Sequence, residues 1–261
     1  MKINVVYNKI IPDYKNTLDI IINTLETARV DYKSFDLSEM DNYGEFTFVV
    51  GGDGTLLRAA RFYAKTSIPV LGINLGRLGF LSQAGSNEFA SVIEAVLKGA
   101  YYTEDRLMLS SGELVALNDF VIKGCNPSRT SKFSLEINDK YVCDYIADGI
   151  IIATPTGSTA YGLSAGGPIL YPNLEALVVV PICPHSLNVR PLVVPSGEKI
   201  TVKTCNRLLS VAIDGYDTKE CIDKIIIQAS QYKAKLAFLK NDRFYHVLRD
   251  KLHWGLAPGT T

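Results

Sequence analysis

The run FTFVV at residues 46–50 leads directly into the glycines of GGDGT at 51–55. Aromatic and β-branched residues without a charged position leave a strand no polar face, so it must be covered on both sides. After the glycine turn, Leu56, Leu57, Ala60, Tyr63 and Ala64 recur at helical spacing. Strand, glycine turn and helix in that order predict a parallel sheet covered by helices. The neighbouring segments repeat the rhythm. INVVY (3–7) predicts a first strand, and Tyr14, Leu18, Ile21 and Leu25 share a helical face behind Pro12-Asp13. IPVLGIN (68–74) predicts another strand, ending in a second glycine-rich loop, LGRLGF (75–80). Phe89, Val92, Ile93, Val96 and Leu97 predict a further helix, stopped by Gly99. The alternation predicts a Rossmann-like, doubly wound α/β nucleotide-binding domain over residues 1–100.

The period changes near residue 100. Phe133, Leu135 and Ile137 alternate with polar residues before an Asn138-Asp139 turn. Ile200 and Val202 alternate ahead of a Cys205-Asn206-Arg207 turn, and Ala234, Leu236 and Phe238 alternate with Lys233 and Lys235. Period two with short turns predicts an antiparallel β-sandwich over 101–239, with one helical island at about 157–166. DRFYHVLRDKLHW (242–254) differs again, and the segment 240–261 is expected to pack back on the first domain.

Charge and cysteine usage narrow the classes of partner. Lys plus Arg and Asp plus Glu number 27 each, so there is no net charge to draw the chain to nucleic acid or an anionic membrane. No apolar run approaches the roughly 20 residues of a membrane span. The N-terminal MKINVVYNK reads as a strand and not as a secretory leader. Cysteines at 125, 143, 183, 205 and 221 are odd in number and form no C-x-x-C, which suggests reduced thiols in a cytoplasmic protein and no metal cluster. His185, His246 and His253 share no ligand spacing, and no G-x-S-x-G elbow is present.

Chemistry concentrates in three places. In GGDGT, Gly51, Gly52 and Gly54 let a ligand approach the backbone, and Thr55 follows at a helix start, an arrangement suited to phosphate. The lysine of G-x-x-x-x-G-K-[ST] is missing, and a carboxylate, Asp53, stands in the loop instead. Asp53 is therefore expected to act on a hydroxyl or on a phosphate-bound Mg²⁺; a plain Asp-Gly β-turn is the structural alternative. In ADGIIIATPTGSTAYGLSAGGP (147–168), a strand feeds Pro155, Thr156 and Ser158, which suit a helix start. Small residues there leave room for a nucleotide against the backbone, or simply for close packing. In LNDF (117–120), Asn118 and Asp119 reach one ligand only at a strand end or bulge, because successive strand side chains point oppositely. An amide and a carboxylate together satisfy a ribose diol; a hairpin turn is the alternative.

In this order and spacing, GGDGT, LGRLGF, LNDF, ADGIIIATPTGSTAYGLSAGGP and PICPHSLNVRPLVVP (181–195) resemble the NAD kinase family. GGDGT alone also resembles lipid kinases and phosphofructokinases; GGDGT followed by TPTGSTAYGLSAGG is specific. The resemblance implies phosphorylation of the adenosine 2′-hydroxyl of NAD to give NADP. ATP is the implied donor, though some relatives use polyphosphate, and Mg²⁺ or another divalent metal is required. It implies an NAD-binding β-sandwich domain and a homodimer or homotetramer. Asp53 matches the family's general base, with Gly54 beside the substrate. Asn118 and Asp119 match the pair at the adenosine end of NAD, where many members carry Glu in place of Asp119. Asp148 matches a carboxylate near the nicotinamide amide. Thr159, Ala160, Tyr161, Gly162, Leu163 and Ser164 match the stretch lining the adenine and ribose pocket. Arg58, Arg129, Ile146 and Thr156 stand at positions lining the NAD pocket in relatives. Two rivals are a lipid or sugar kinase with the same turn, and a non-catalytic NAD(P) sensor; the sensor is expected to lack the turn carboxylate that this chain keeps.

Overall fold

Strand β1 (Lys2–Tyr7) opens the chain, followed by α1 (Tyr14–Thr27), β2 (Asp31–Asp36), β3 (Phe46–Val50), α2 (Asp53–Tyr63), β4 (Val70–Ile73), α3 (Phe89–Leu97) and β5 (Tyr102–Arg106). Short strands follow: β6 (Leu109–Ser111), β7 (Leu114–Ala116), β8 (Asp119–Gly124), β9 (Ser131–Ile137), β10 (Lys140–Ala147) and β11 (Gly149–Ala153). After α4 (Tyr161–Ser164) come β12 (Ala176–Ile182), β13 (Leu192–Pro195), β14 (Ile200–Thr204), β15 (Leu209–Ile213), β16 (Asp217–Cys221) and β17 (Lys224–Ala229). Strand β18 (Ala234–Phe238) and α5 (Arg243–Leu252) complete the set. This computed structural model describes residues 1–12, 14–75, 79–82, 88–126, 130–204, 208–221, 223–239 and 243–253. The chain divides into two units, Met1–Glu104 with Lys235–Thr261, and Asp105–Ala234.

In the first unit the sheet order is β2-β1-β3-β4-β18-β5. Strands β1, β2, β3, β4 and β18 pair in parallel. All five residues of β3 are buried, as a strand covered on both faces requires. Ile21 and Leu25 of α1 and Phe89, Ile93 and Val96 of α3 pack with Phe46, Phe48 and Leu71 in one core. Helix α3 ends before Gly99, whose φ of 71° is the left-handed cap conformation. The chain leaves β1 toward β2 on one side and returns to β3 on the other. The crevice at such a reversal opens beyond the carboxyl ends of β1 and β3, where GGDGT lies.

Two expectations change here. The alternation at Ala234, Leu236 and Phe238 identified a strand, but β18 joins the parallel sheet and not the sandwich; its single register point with β4 is Leu236 to Val70. Ala234, Leu236, Ala237 and Phe238 are all buried, the signature of an inner strand. Strand β2, DYKSFD, was not foreseen: it sits at the sheet edge, and its burial follows no period of two.

The second unit stacks two antiparallel sheets, ordered β10-β9-β14-β17-β6-β7 and β13-β12-β11-β8-β15-β16. Phe120, Ile122, Ile150, Ile152 and Val179 of one meet Phe133, Leu135, Val202 and Ile227 of the other in a common core. Asn138 and Asp139, at φ 51° and 62°, close the β9–β10 hairpin opposite the Ile137–Lys140 pair. Positive φ at both central residues matches the twist of the flanking strands. The outer face of the second sheet carries Val121, Ile151, Ala153, Val178 and Val180 packed with Leu170. The helical island is shorter than expected: a 3₁₀ turn at Gly157–Thr159 and the four-residue α4, separated at Ala160 (φ −98°, ψ −129°). The Cys205-Asn206-Arg207 turn lies outside the described residues. Among the described residues no helix is long and apolar enough to cross a membrane.

Candidate active site

In the first unit, GGDGT is a helix entrance and not a β-turn. Asp53 is the first residue of α2, with Gly52 as its N-cap and no side-chain cap bond. Gly51, at φ 154°, has to be glycine: a Cβ there would stand 2.6 Å from Thr55 Oγ1. At Gly52 a Cβ would meet nothing within 4 Å. No protein atom therefore needs that glycine, and its bare backbone leaves the helix N-terminus open to an anion. Gly54 and Arg58 lie one turn apart on α2, both half-buried.

The Asp53 carboxylate turns toward the second glycine-rich loop, which follows the adjacent parallel strand β4. Its Oδ2 accepts the Phe80 N–H at 2.7 Å, and its Oδ1 accepts those of Leu81 and Ser82 at 3.3 Å each. The approach is so close that a Cβ at Gly79 would fall 2.1 Å from Oδ1. Ser82 is buried and its Oγ accepts from the Gly79 N–H at 2.9 Å and from Asn74 Nδ2 at 3.2 Å. Three amide dipoles thus offset the charge of the carboxylate. A carboxylate offers about four lone-pair positions, so one remains, on Oδ2. Residues 76–78 of LGRLGF lie outside the described set.

In the second unit, two of the sequence motifs meet. Asn118 stands immediately before β8, half-buried, and Asp119, 3% exposed, is that strand's first residue. The chain that follows β11 closes on them: Thr154 N–H donates to the Asn118 carbonyl at 2.9 Å, and Thr154 Oγ1 donates to the Leu117 carbonyl at 2.6 Å. A Cβ on Gly157 would lie 2.1 Å from the Asn118 carbonyl oxygen, so only glycine fits. Gly157 N–H in turn donates to Thr154 Oγ1 at 3.0 Å. Thr156 is buried and lies 3.4 Å from Arg106 Nη1. Thr159, Ala160 and Leu163 are half-buried, Gly162 is buried, and Tyr161 and Ser164 are exposed. The Lys123 ammonium sits 5.7 Å from the Tyr161 ring centroid. Val121, Lys123, Tyr161, Ser210, Ala212 and Gly215 line a cavity of about 270 Å³, room for part of a ligand. Asp148 and Ile146 are both exposed; the Asp148 N–H donates to the Ile182 carbonyl, and the Ile146 carbonyl accepts from the His185 N–H. Arg129 lies outside the described residues.

Burial, and then the charge of Asp214, push Asp119 up to about 7. Asp214 is a residue that the sequence reading missed. Its only signal was an Asp-Gly pair after a strand, which reads as an ordinary turn.

Comparison with known proteins covers both units. A model of the ATP-NAD kinase N-terminal domain matches residues 13–101, and one of the C-terminal domain matches 117–239. An NAD kinase of Clostridium botulinum is 38% identical over 258 residues, 92% of each chain. The crystal structure of an NAD kinase from Archaeoglobus fulgidus in complex with ATP is similar at a TM-score of 0.80 and 28% identity, over 97% of this chain and 99% of that one. Yeast NADH kinase complexed with NADH shares the fold, with a TM-score of 0.89 at 23% identity over 100% and 90% of the two chains.

Proposed function

The chain belongs to the NAD kinase family, and on that premise we propose that it phosphorylates the adenosine 2′-hydroxyl of NAD with ATP, Asp53 acting as general base. The observation that carries the assignment is the held carboxylate. Three loop amides orient Asp53 and offset its charge, and the remaining lone pair on Oδ2 suits the substrate hydroxyl. The 2′-hydroxyl proton passes to Oδ2 as the oxygen bonds to the γ-phosphorus and the bond to the ADP oxygen breaks. Positioning and charge compensation supply most of the catalysis in such transfers.

The first unit is the nucleotide domain, with Gly51, Gly52, Gly54 and Thr55 at the phosphate loop and Arg58 beside it. In the second, Asn118 and Asp119 hold the adenosine end. The stretch from Thr159 through Ser164 lines the adenine and ribose pocket, and Thr156, Arg129 and Ile146 stand at other positions lining the NAD pocket. Asp148 takes the nicotinamide amide. Among the described residues no three His, Cys, Asp or Glu gather to hold a metal. Mg²⁺ typically keeps several waters and binds through substrate phosphates with only one or two carboxylates, so it would enter as MgATP, held by the phosphates and water, while the remaining Asp53 lone pair serves the hydroxyl. There the ion would neutralise charge on the transferring phosphoryl group. A homodimer or homotetramer in the cytoplasm is the expected form; the free thiols of Cys143 and Cys183 support that compartment.

The reading is tested by supplying ATP and Mg²⁺ with NAD, a diacylglycerol or a hexose in parallel. NADP, read by an NADP-specific dehydrogenase, is expected from NAD alone. Turnover of the lipid or sugar without NADP would assign the chain to a rival kinase class. NAD binding without any turnover would make it a sensor.

A further inference from the structure

Six backbone polar groups lie in Leu117, Asn118 and Asp119, and every one is taken by just two residues. Asp214 Oδ1 accepts the N–H groups of Asn118 at 2.7 Å and Asp119 at 3.1 Å, and Oδ2 accepts that of Leu117 at 3.0 Å. The Asp214 N–H donates to the Asp119 carbonyl at 3.0 Å, and Thr154 takes the carbonyls of Leu117 and Asn118. Asp214 is 5% exposed and adopts φ 49°, followed by Gly215 at 74°. Left-handed backbone at a residue with a side chain is uncommon and is kept where the surroundings require it. Two costs are thus accepted at once, a buried carboxylate and a left-handed backbone. The direct return is a rigid corner at the start of β8. Gly215 lines the same cavity as Tyr161 and Lys123, so the turn also abuts space for a ligand.

We propose that Asp214 is the positioning residue of the adenosine subsite: its carboxylate sets the Leu117–Asp119 corner so that Asn118 is presented to the nucleoside. The inference rests on the assignment of Asn118 and Asp119 given above. Asp214 itself does not touch the substrate. Burial, and then this same charge of Asp214, push Asp119 up to about 7.

The test uses the full chain with Asp214→Gly and Asp214→Asn. Glycine keeps the left-handed turn without strain and removes all the side-chain acceptors; asparagine keeps one acceptor oxygen and sets an N–H donor against another amide. KM for each substrate, kcat, NAD binding by calorimetry and amide hydrogen exchange are measured. With Asp214→Gly, KM and Kd for NAD are expected to rise about tenfold or more, and Asp214→Asn is expected to fall between it and wild type. KM for ATP and kcat are expected to move by less than about threefold. Exchange is expected to quicken at 117–119 while Ile150–Ile152 of β11 stays protected. NAD affinity unchanged in a folded Asp214→Gly chain would overturn the proposal. So would a parallel loss of both substrates with faster exchange throughout, which marks a purely structural residue. Should the wild type bind NAD without making NADP, the kinase reading falls, and the calorimetry and exchange still decide the role of Asp214.

Discussion

At Asp53, the negative charge at a glycine-rich helix entrance finds its explanation in partners rather than in the loop itself. The amides of Phe80, Leu81 and Ser82 do for this carboxylate what such amides elsewhere do for a bound anion. The residue type was plain in the sequence. Its partners were not, because backbone amides carry no residue signature and arrive from a loop after a different strand. Asp214 escaped for the same reason. Asp119 supplies a prediction of sign. Its neutral form is favoured in the fold, since burial and Asp214 raise it to about 7 from 3.8. The stability this contributes is fully present below about pH 4 and is lost as pH rises through about 7. At about 1.4 kcal/mol per pKa unit, the loss is on the order of 4 kcal/mol. Asp119→Asn removes the ionisation, so denaturant unfolding at pH 5 and pH 8 is expected to show the variant gaining relative to wild type at the higher pH. An equal difference at both values would mean that Asp119 titrates normally.

The glycines divide, element by element, into those that the fold needs and those that it does not. Gly157 belongs to the first group, for its Cβ would strike the Asn118 carbonyl. Backbone there cannot swing aside, so Gly157→Ala is expected to cost about 3 kcal/mol, the upper part of the usual overpacking range. A chemical denaturation midpoint indistinguishable from wild type would show that the Thr154–Gly157 turn does not close on Asn118. Gly52 belongs to the second group and has open space around it. Helices α1 and α3 and the Asn138-Asp139 hairpin were legible because periodicity and turn chemistry are local. Strand β2 was not, since an edge strand with polar residues has no apolar alternation to read. Strand β18 was legible as a strand but not as a member of the parallel sheet, because which sheet a strand joins is decided by distant residues. The island at 157–166 was overextended: small residues permit a helix, but the backbone of Ala160 leaves the helical region and divides it into two short turns.

On the scale of the whole molecule, the switch from helical to two-residue periodicity announced two architectures in one chain. Each unit has its own core, one of helices on a parallel sheet and one between two antiparallel sheets. The family matches fall on both, at 13–101 and 117–239. The motifs distribute accordingly: the held carboxylate belongs to the first unit and the Asn118-Asp119 corner to the second. General-base action by Asp53 is tested most directly by kcat for NADP formation in Asp53→Asn, measured beside NAD affinity. Because the asparagine amide also opposes a loop N–H, Ser82→Ala serves as a companion that loosens the same loop and leaves the carboxylate in place. Loss of the base is expected to lower kcat by about 10²–10⁴-fold, with NAD affinity retained and Ser82→Ala much less affected. Near-normal kcat in Asp53→Asn, or an equal loss in Ser82→Ala, would contradict the assignment of Asp53 as the base.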